Sequence, residues 1–586
     1  MPFGRRADTG RAIFADVTHR SPLVFPLAIS ALSATLLASC GGDSGPRYAT
    51  EFVVVEVDPS APPPFQLAVQ ACVGLANRDL GGSAYVRMDA NDSEWLTQLE
   101  LTPASVVSAA DFLETCVAER QRCVRYDYED QQALLPNILT VASALGAVPV
   151  DGSLTVACDE VAFDATTEFA TLNTPLLATR YVFENYVDET TGLAMLNPGF
   201  DTAAADPANP ALNGDMKPAL VDFVFSQKLF VTFLVNGCTS GDPQRELLNE
   251  IVTNAPWQTP IGVYGYNNSW LVQGGYVHEA QTRCLDAHNM GAIPTETGNL
   301  SFFSTRRAPI VNTTELEHNA PEEIEYDPTK TYVAFVVGDG DNVAYILSAR
   351  QQWLRQRLDD CAQTENSCAP ITWSISPHLP RLAPDVLAWY YRSAASTGQD
   401  YFALPPSGHL YAYPSSLNEA DQDRFAAATE ADARILGTSS VVHWEWFSSW
   451  RYAESEFLPR YAHAGGAVRG VFPVNVPYLI EAFPAWDASE FYRVLPGTDG
   501  EAVVLFRSRS WRGVNDADDK FFLSPQRMAD ELAGYPPGTV TWVYMTSDGG
   551  LTLENSFMEL VGLLPDRVQL VSADAASGLA LTASGR

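Results

Sequence analysis

The amino-acid sequence predicts an α/β protein, with an α/β N-terminal region followed by a C-terminal (β/α)-barrel-like domain. Two observations carry this prediction. Eight short apolar strand candidates follow one another: Tyr332–Val337, Ile371–Ser374, Tyr401–Leu404, Val441–Trp444, Gly470–Pro473, Val503–Arg507, Thr541–Met545 and Val568–Val571. Most are separated by helix-like or long connecting segments, and such units in that number are what a (β/α)-barrel requires. Earlier in the chain, strand-like and helix-like stretches also alternate, which implies parallel sheets under helical cover. A doubly wound open sheet would produce a similar pattern and is the alternative to the barrel.

The elements divide as follows. Residues 1–39 read as a signal peptide: Arg5, Arg6, Arg11 and Arg20 precede an apolar run from Leu23 to Leu37, and Leu37-Ala38-Ser39-Cys40 follows as a lipobox. Cys40 is the expected lipid anchor, because an acylated thiol holds the mature chain to a membrane. Gly41 follows it, so the expected location is exported and outer-membrane bound. Residues 40–64 are rich in Pro, Gly and Ser and suit a spacer. Residues 65–321 form the N-terminal α/β region. It contains helical periodicity at Leu67, Val69, Cys72 and Leu75, a strand at Ala84–Val86, and helices at Glu94–Leu101 and Ala110–Arg120. Further along come apolar Phe230–Val235, a helix over Pro243–Thr253, apolar Ile261–Tyr264 and a helix over Val277–His288. Residues 322–586 hold the barrel-like part, after an acidic break from Glu315 to Asp327.

Composition limits the function. The chain has 586 residues, which implies more than one domain, and 12 Trp, 23 Tyr and 28 Phe can fill the cores. Its 36 Lys and Arg stand against 71 Asp and Glu, a net charge of -35 that disfavours nucleic acid as a partner. Besides Cys40 there are eight cysteines, an even number that reads as disulfides in an exported chain. Cys116 with Cys123, Cys361 with Cys368, and Cys238 with Cys284 are candidate pairs, although spacing alone leaves the pairing open.

After the third C-terminal strand stands Pro405-Pro406-Ser407-Gly408-His409-Leu410-Tyr411-Ala412-Tyr413-Pro414. This segment resembles the signature of the GxGYxYP family of putative glycoside hydrolases. Gly408, Tyr411, Tyr413 and Pro414 are in register, and Leu410 departs where the signature calls for glycine. Val337-Gly338-Asp339-Gly340-Asp341-Asn342, Trp373–Pro377 and Ala383–Val386 are similar to further segments of that family. Gln70–Arg78 and Asn299–Phe303 are similar to its N-terminal domain. The resemblance implies carbohydrate processing.

The residues themselves point to a similar chemistry. Glycoside hydrolysis needs two carboxyl groups flanking the scissile bond. Asp339 and Asp341 after the first C-terminal strand, with Glu445 after the fourth, are the candidate catalytic set, and the alternative for Asp339–Asn342 is a turn capping the next helix. Candidate substrate contacts are Asn342, His378, Ser407, Gly408, Tyr411, Tyr413, Trp446, Asn475, Arg507 and Asp548. Flat rings suit sugar faces, but rings also fill cores. Arg507, Arg509 and Arg512 suit a carboxylate, or else neutralise neighbouring acids. Glu554 lies in the same strand-end segment as Asp548. No cofactor is expected in the preferred reading. A metal held by Asp339, Asp341, Asn342 and His378 would instead suggest a deacetylase, with His378 as a packing residue the plainer reading. Arg350 stands where an EF-hand has its bidentate Glu, and no Gly-x-Ser-x-Gly elbow is present. A surface glycan-binding lipoprotein without turnover is the remaining alternative.

Overall fold

The computed structural model describes residues 46–586, apart from 89, 200–218, 268, 271–276, 320–322, 364–367, 447–448, 475–485, 488, 498–499, 512–522 and 546–555. The expected signal peptide, Cys40, Asn475, Arg512, Asp548 and Glu554 therefore lie outside the described residues. From Pro46 onward the chain forms one compact unit.

Folded structure begins before Phe65, earlier than the expected spacer allowed. Val53–Glu56 form strand β1, with Val54 and Val55 fully buried, and a helix runs over Pro63–Asp79. Phe52 and the three valines after it are too short an apolar run to stand out beside the proline-rich stretch. They become a strand because β2 (Ala84–Arg87) and β3 (Ser105–Ser108) pair with β1 on its two sides.

Two further sheets complete the N-terminal region. One has the order β5-β4-β6, from β4 (Arg122–Tyr126), β5 (Val148–Asp151) and β6 (Glu160–Asp164). The other has the order β10-β9-β7-β8, from β7 (Leu193–Met195), β8 (Phe230–Thr232), β9 (Ile261–Gly265) and β10 (Met290–Ile293). Every pairing in these sheets is parallel. Parallel neighbours need helical crossovers, and that is why strands and helices alternate here. The two segments similar to the family's N-terminal domain act as structural ties. Asn77 donates to the Ala84 carbonyl and to Ser301 Oγ (2.9 and 2.8 Å), and Asn299 brackets the Val86 backbone by accepting from its N–H and donating to its carbonyl (2.6 and 2.8 Å).

The C-terminal strands are β11 (Thr331–Val337), β12 (Ile371–Ser374), β13 (Asp400–Ala403), β14 (Ser440–His443), β15 (Gly470–Pro473), β16 (Tyr492–Pro496), β17 (Ala502–Phe506), β18 (Ser510–Trp511), β19 (Val540–Met545) and β20 (Val568–Val571). All eight expected strands form, each within a residue of its expected bounds, and β16 and β18 are additional. They lie in two sheets. One runs β13-β12-β11-β19-β18, with β20 also on β11, and the other runs β14-β15-β17-β16. Only the β16–β17 pair is antiparallel. A backbone bridge between Leu404 and Val441 joins the sheets.

Alternation along these strands serves two cores. Val333, Phe335 and Val337 of β11 face the main core, whereas Tyr332, Ala334 and Val336 join Val442, Phe472, Val504, Phe506 and Trp542 in a second one. Ala576, Leu579 and Ala580 of the helix Ala573–Ala583 close that second core. Burial on both faces explains why these strands read as unbroken apolar runs.

Disulfides join Cys72 to Cys116, Cys123 to Cys158, Cys238 to Cys284 and Cys361 to Cys368. The last two are among the candidate pairs. Cys116 and Cys123 do not pair with each other, because Cys116 is on a helix packed against Pro63–Asp79 while Cys123 is already in β4. No described helix is long and apolar enough to cross a membrane.

Candidate active site

Parallel strands place the segments leaving their C-terminal ends on one side of a sheet, where binding groups can gather. At the end of β11 the chain turns through Gly338-Asp339-Gly340-Asp341, with Asp339 in the left-handed region at φ 59°. Neither glycine tolerates a side chain. A Cβ on Gly338 would stand 1.9 Å from the Tyr544 hydroxyl, and one on Gly340 would stand 2.0 Å from the Ser374 carbonyl oxygen. Ser374 secures the turn by accepting from the Gly340 N–H (3.0 Å) and donating to the Val337 carbonyl (2.7 Å). Beneath it the buried Arg350 donates to the carbonyls of Ser374 and Gly338. Asn342 caps the following helix by accepting from the Tyr345 N–H (3.0 Å). The capping role thus falls to Asn342.

The Asp341 carboxyl is pushed up to about 8 by burial and by the neighbouring charge of Asp339. Two close carboxylates cannot both ionise cheaply, which favours the protonated form of Asp341. The Tyr544 hydroxyl lies 3.5 Å from Asp339 Oδ1. Burial and the charges of Asp339 and Asp341 raise its pKa well above the ordinary value.

A further buried carboxyl group comes from the N-terminal region, on a segment tied to this one by the Val343 N–H donating to the Pro294 carbonyl (2.9 Å). Glu296 follows β10 and is pushed up to about 8 by burial. Between the two acidic segments stands Tyr266, whose pKa is raised by burial and then by the charges of Glu296, Asp341 and Asp339. Sequence reasoning missed Glu296 because it did not identify β10. The available signal was Met290–Ile293, a short apolar run closed by a proline and followed within three residues by an acid.

Glu445 stands elsewhere. It is fully buried, and both of its oxygens are engaged. Oε1 accepts from the Ser415 N–H (3.0 Å) and lies 3.1 Å from His443 Nε2, while Oε2 accepts from the hydroxyls of Ser415 (2.6 Å) and Ser449 (2.8 Å). Its acidic neighbour is Asp286, raised well above the carboxylate range by burial despite accepting from the Tyr413 N–H (3.2 Å), with Glu445's charge adding to the rise. These two carboxyl groups hold the backbone at residues 413 and 415. Glu445, expected from its strand-end position to partner the aspartates, has its described contacts with Ser415, Ser449 and His443.

The glycine-tyrosine segment is a strap. Tyr411 and Ala292 exchange both backbone hydrogen bonds (3.0 Å each), so the segment pairs with β10. Leu410 fits where the signature has glycine because Gly291 and Gly262 face it. A Cβ on Gly291 would stand 2.7 Å from Leu410 Cβ, and one on Gly262 3.1 Å from its Cδ2. Gly408, at φ 110°, has Thr429 where its own Cβ would be. Tyr411 and Tyr413 are buried in a ring cluster with Trp444 and Trp446, at centroid separations of 5.0 to 5.9 Å, so they brace the strap. Ser407, expected as a substrate contact, is fully buried, shares its hydroxyl hydrogen between the carbonyls of Ala412 (2.8 Å) and Trp444 (2.9 Å) and accepts from the Trp444 N–H, so it ties the strap to the segment after β14.

His378 is also buried. Its ring lies 5.2 Å from that of His409, which pairs with Asp432 (2.7 Å), and burial followed by the charges of His409 and Arg381 lowers its pKa well below the ordinary value. Among the described residues, the one group of donors close enough to share a metal is Cys361, Cys368 and Asp400, whose two thiols are joined in a disulfide. Asp339, Asp341 and His378 do not converge in that way. Arg509 grips Glu531 with two bonds of 2.6 Å, and Arg507 donates to the Asp487 carbonyl (3.2 Å). Both line a cavity of about 400 Å³ with Phe491, Ser508 and Tyr535.

Fold and site together define the class: an α/β protein with carboxyl groups gathered where parallel strands end. Residues 329–478, which include Asp339, Asp341 and the strap, match the family model described as the GxGYxYP putative glycoside hydrolase C-terminal domain. The chain is similar in structure to a putative hydrolase from Bacteroides thetaiotaomicron VPI-5482, with a TM-score of 0.66 and 19% identity over 91% of this chain and 95% of that one. A 4-alpha-glucanotransferase from Thermococcus litoralis aligns with a TM-score of 0.29 and 13% identity over 42% of this chain and 39% of that one, too little to bear on the fold. No curated protein matches the chain.

Proposed function

We propose that this protein hydrolyses a glycosidic bond in a poly- or oligosaccharide, and that the reaction takes place at the Asp339–Asp341 turn. The observation that carries this reading is the buried Asp341 carboxyl, its pKa raised to about 8 by burial and by neighbouring Asp339, at the end of β11 and inside the segment that matches the glycoside hydrolase model. Carboxyl groups tuned by burial and by one another are what acid–base chemistry at a sugar uses. The reaction as proposed runs on side chains alone.

We read the C-terminal part as barrel-like, and the Leu404–Val441 bridge between its two sheets supports that reading. The test is release of reducing ends from a panel of bacterial, plant and algal glycans by the fragment Pro46–Arg586, the compact unit. Release from at least one glycan is expected. Binding without release from any would favour the non-catalytic glycan-binding reading, and release of acetate that a chelator stops would favour the deacetylase.

The proposed setting is the outer membrane, with Cys40 carrying the lipid. Labelled palmitate is expected to enter the full chain expressed in a bacterium and not the Cys40→Ser variant. Equal labelling of both would remove the anchor.

A further inference from the structure

We propose that Glu296, contributed by the N-terminal region, is the group that donates a proton to the glycosidic oxygen, opposite the aspartate pair. The proposal rests on the glycoside hydrolase reading and adds to it a catalytic residue outside the matched segment 329–478.

The backbone carries the argument. Glu296 sits in a segment pinned on both sides. Ahead of it, the Val343 N–H donates to the Pro294 carbonyl (2.9 Å), which ties this segment to the one bearing Asp341. Thr295 Oγ1 accepts from the Gly265 N–H (3.2 Å) and donates to the Ile293 carbonyl (3.0 Å), which fixes it beside Tyr266. Behind it, the Leu220 N–H donates to the Thr297 carbonyl (3.1 Å). Glu296 Oε1 is buried and has no hydrogen-bond partner among the described residues. An unsatisfied buried carboxyl oxygen is costly and persists most readily where a ligand supplies the missing bond.

Asp339 and Asp341 lie two residues apart on one turn, whereas hydrolysis needs carboxyl groups on both sides of the bond. Glu296 supplies the second side from a different strand. The Glu296 proton passes to the glycosidic oxygen as the bond from C1 breaks, and its electron pair stays on that oxygen. The oxygen of a water molecule forms the new bond to C1, and the water's proton passes to the Asp339 carboxylate. One water is consumed and two sugar ends are released. The titratable groups acting on Tyr266, which follows β9, are Glu296, Asp341 and Asp339.

The test compares wild type, Glu296→Gln and Glu296→Asp on two substrates: the glycan that wild type cleaves, and a panel of 2,4-dinitrophenyl glycosides whose leaving group needs no proton. Glu296→Gln is expected to lose on the order of 10²-fold or more on the glycan and less than about tenfold on the dinitrophenyl glycoside. Glu296→Asp is expected to keep part of the glycan activity that Glu296→Gln loses. Equal losses on both substrates would overturn the assignment while leaving the aspartate site standing. If wild type cleaves neither substrate, the reading on which the assignment rests falls, and the assignment with it.

Discussion

Asp339→Asn is expected to reduce hydrolysis on the order of 10³-fold while the protein stays folded. The substitution keeps the shape of the side chain and its place beneath Tyr544, and removes only the negative charge. In the proposed reaction that charge accepts the proton of the attacking water, and it also raises the pKa of Asp341. Without it, burial alone acts on Asp341, and the pH profile of whatever activity remains is expected to shift to lower pH. Asp341→Asn gives a complementary measurement that needs no substrate. In the folded protein Asp341 holds its proton to about 8, against 3.8 when unfolded. Between those values the folded state binds a proton that the unfolded state has lost, so stability falls as pH rises. Removing the carboxyl removes that slope. The melting temperature of Asp341→Asn relative to wild type is therefore expected to climb between pH 4 and pH 8, and parallel curves would show that Asp341 ionises normally.

Glu445→Ala is expected to act on stability, at a cost of about 3–5 kcal/mol, the scale seen when one member of a buried charged network is removed. The backbone N–H and hydroxyl of Ser415, the hydroxyl of Ser449 and the ring of His443 would all lose their partner at a largely buried site. Because Ser415 follows the strap directly, loosening it also releases Tyr411 and Tyr413 from their packing. Urea denaturation of the Pro46–Arg586 fragment measures the effect. Glu445→Gln with unchanged stability and abolished hydrolysis would return Glu445 to the catalytic set.

The difference between Glu445 and Glu296 shows how far strand-end position can be read from sequence. Both are acids just after a short apolar strand. Glu445 follows β14, which stands out as Val441-Val442 in an apolar setting, whereas Glu296 follows Met290-Gly291-Ala292-Ile293, whose small residues barely register. Those residues are small for a tertiary reason: Gly291 and Gly262 leave room for Leu410 of the strap. The residue that looked like a departure from the signature and the glycines that hid a strand are the two sides of one contact. Ser407 and the tyrosines show the same limit from the other side. Their types suit catalysis and sugar stacking, but nothing in their spacing discloses that Trp444 would surround them.

By itself, the sequence determined what local patterns encode. The alternation of strands and helices, the eight C-terminal strands within a residue, the Cys238–Cys284 and Cys361–Cys368 candidates, the acidic turn after β11 and the strap's signature all follow from apolar runs, turn residues and short spacings. Tertiary structure alone decided which of these patterns meet. Hydrogen bonds between residues far apart in the chain bring Pro294 to Val343 and Tyr411 to Ala292, and close packing turns Glu445 inward. A carboxyl group's role depends on how much water remains around it and which charge stands beside it, and both are properties of the assembled fold.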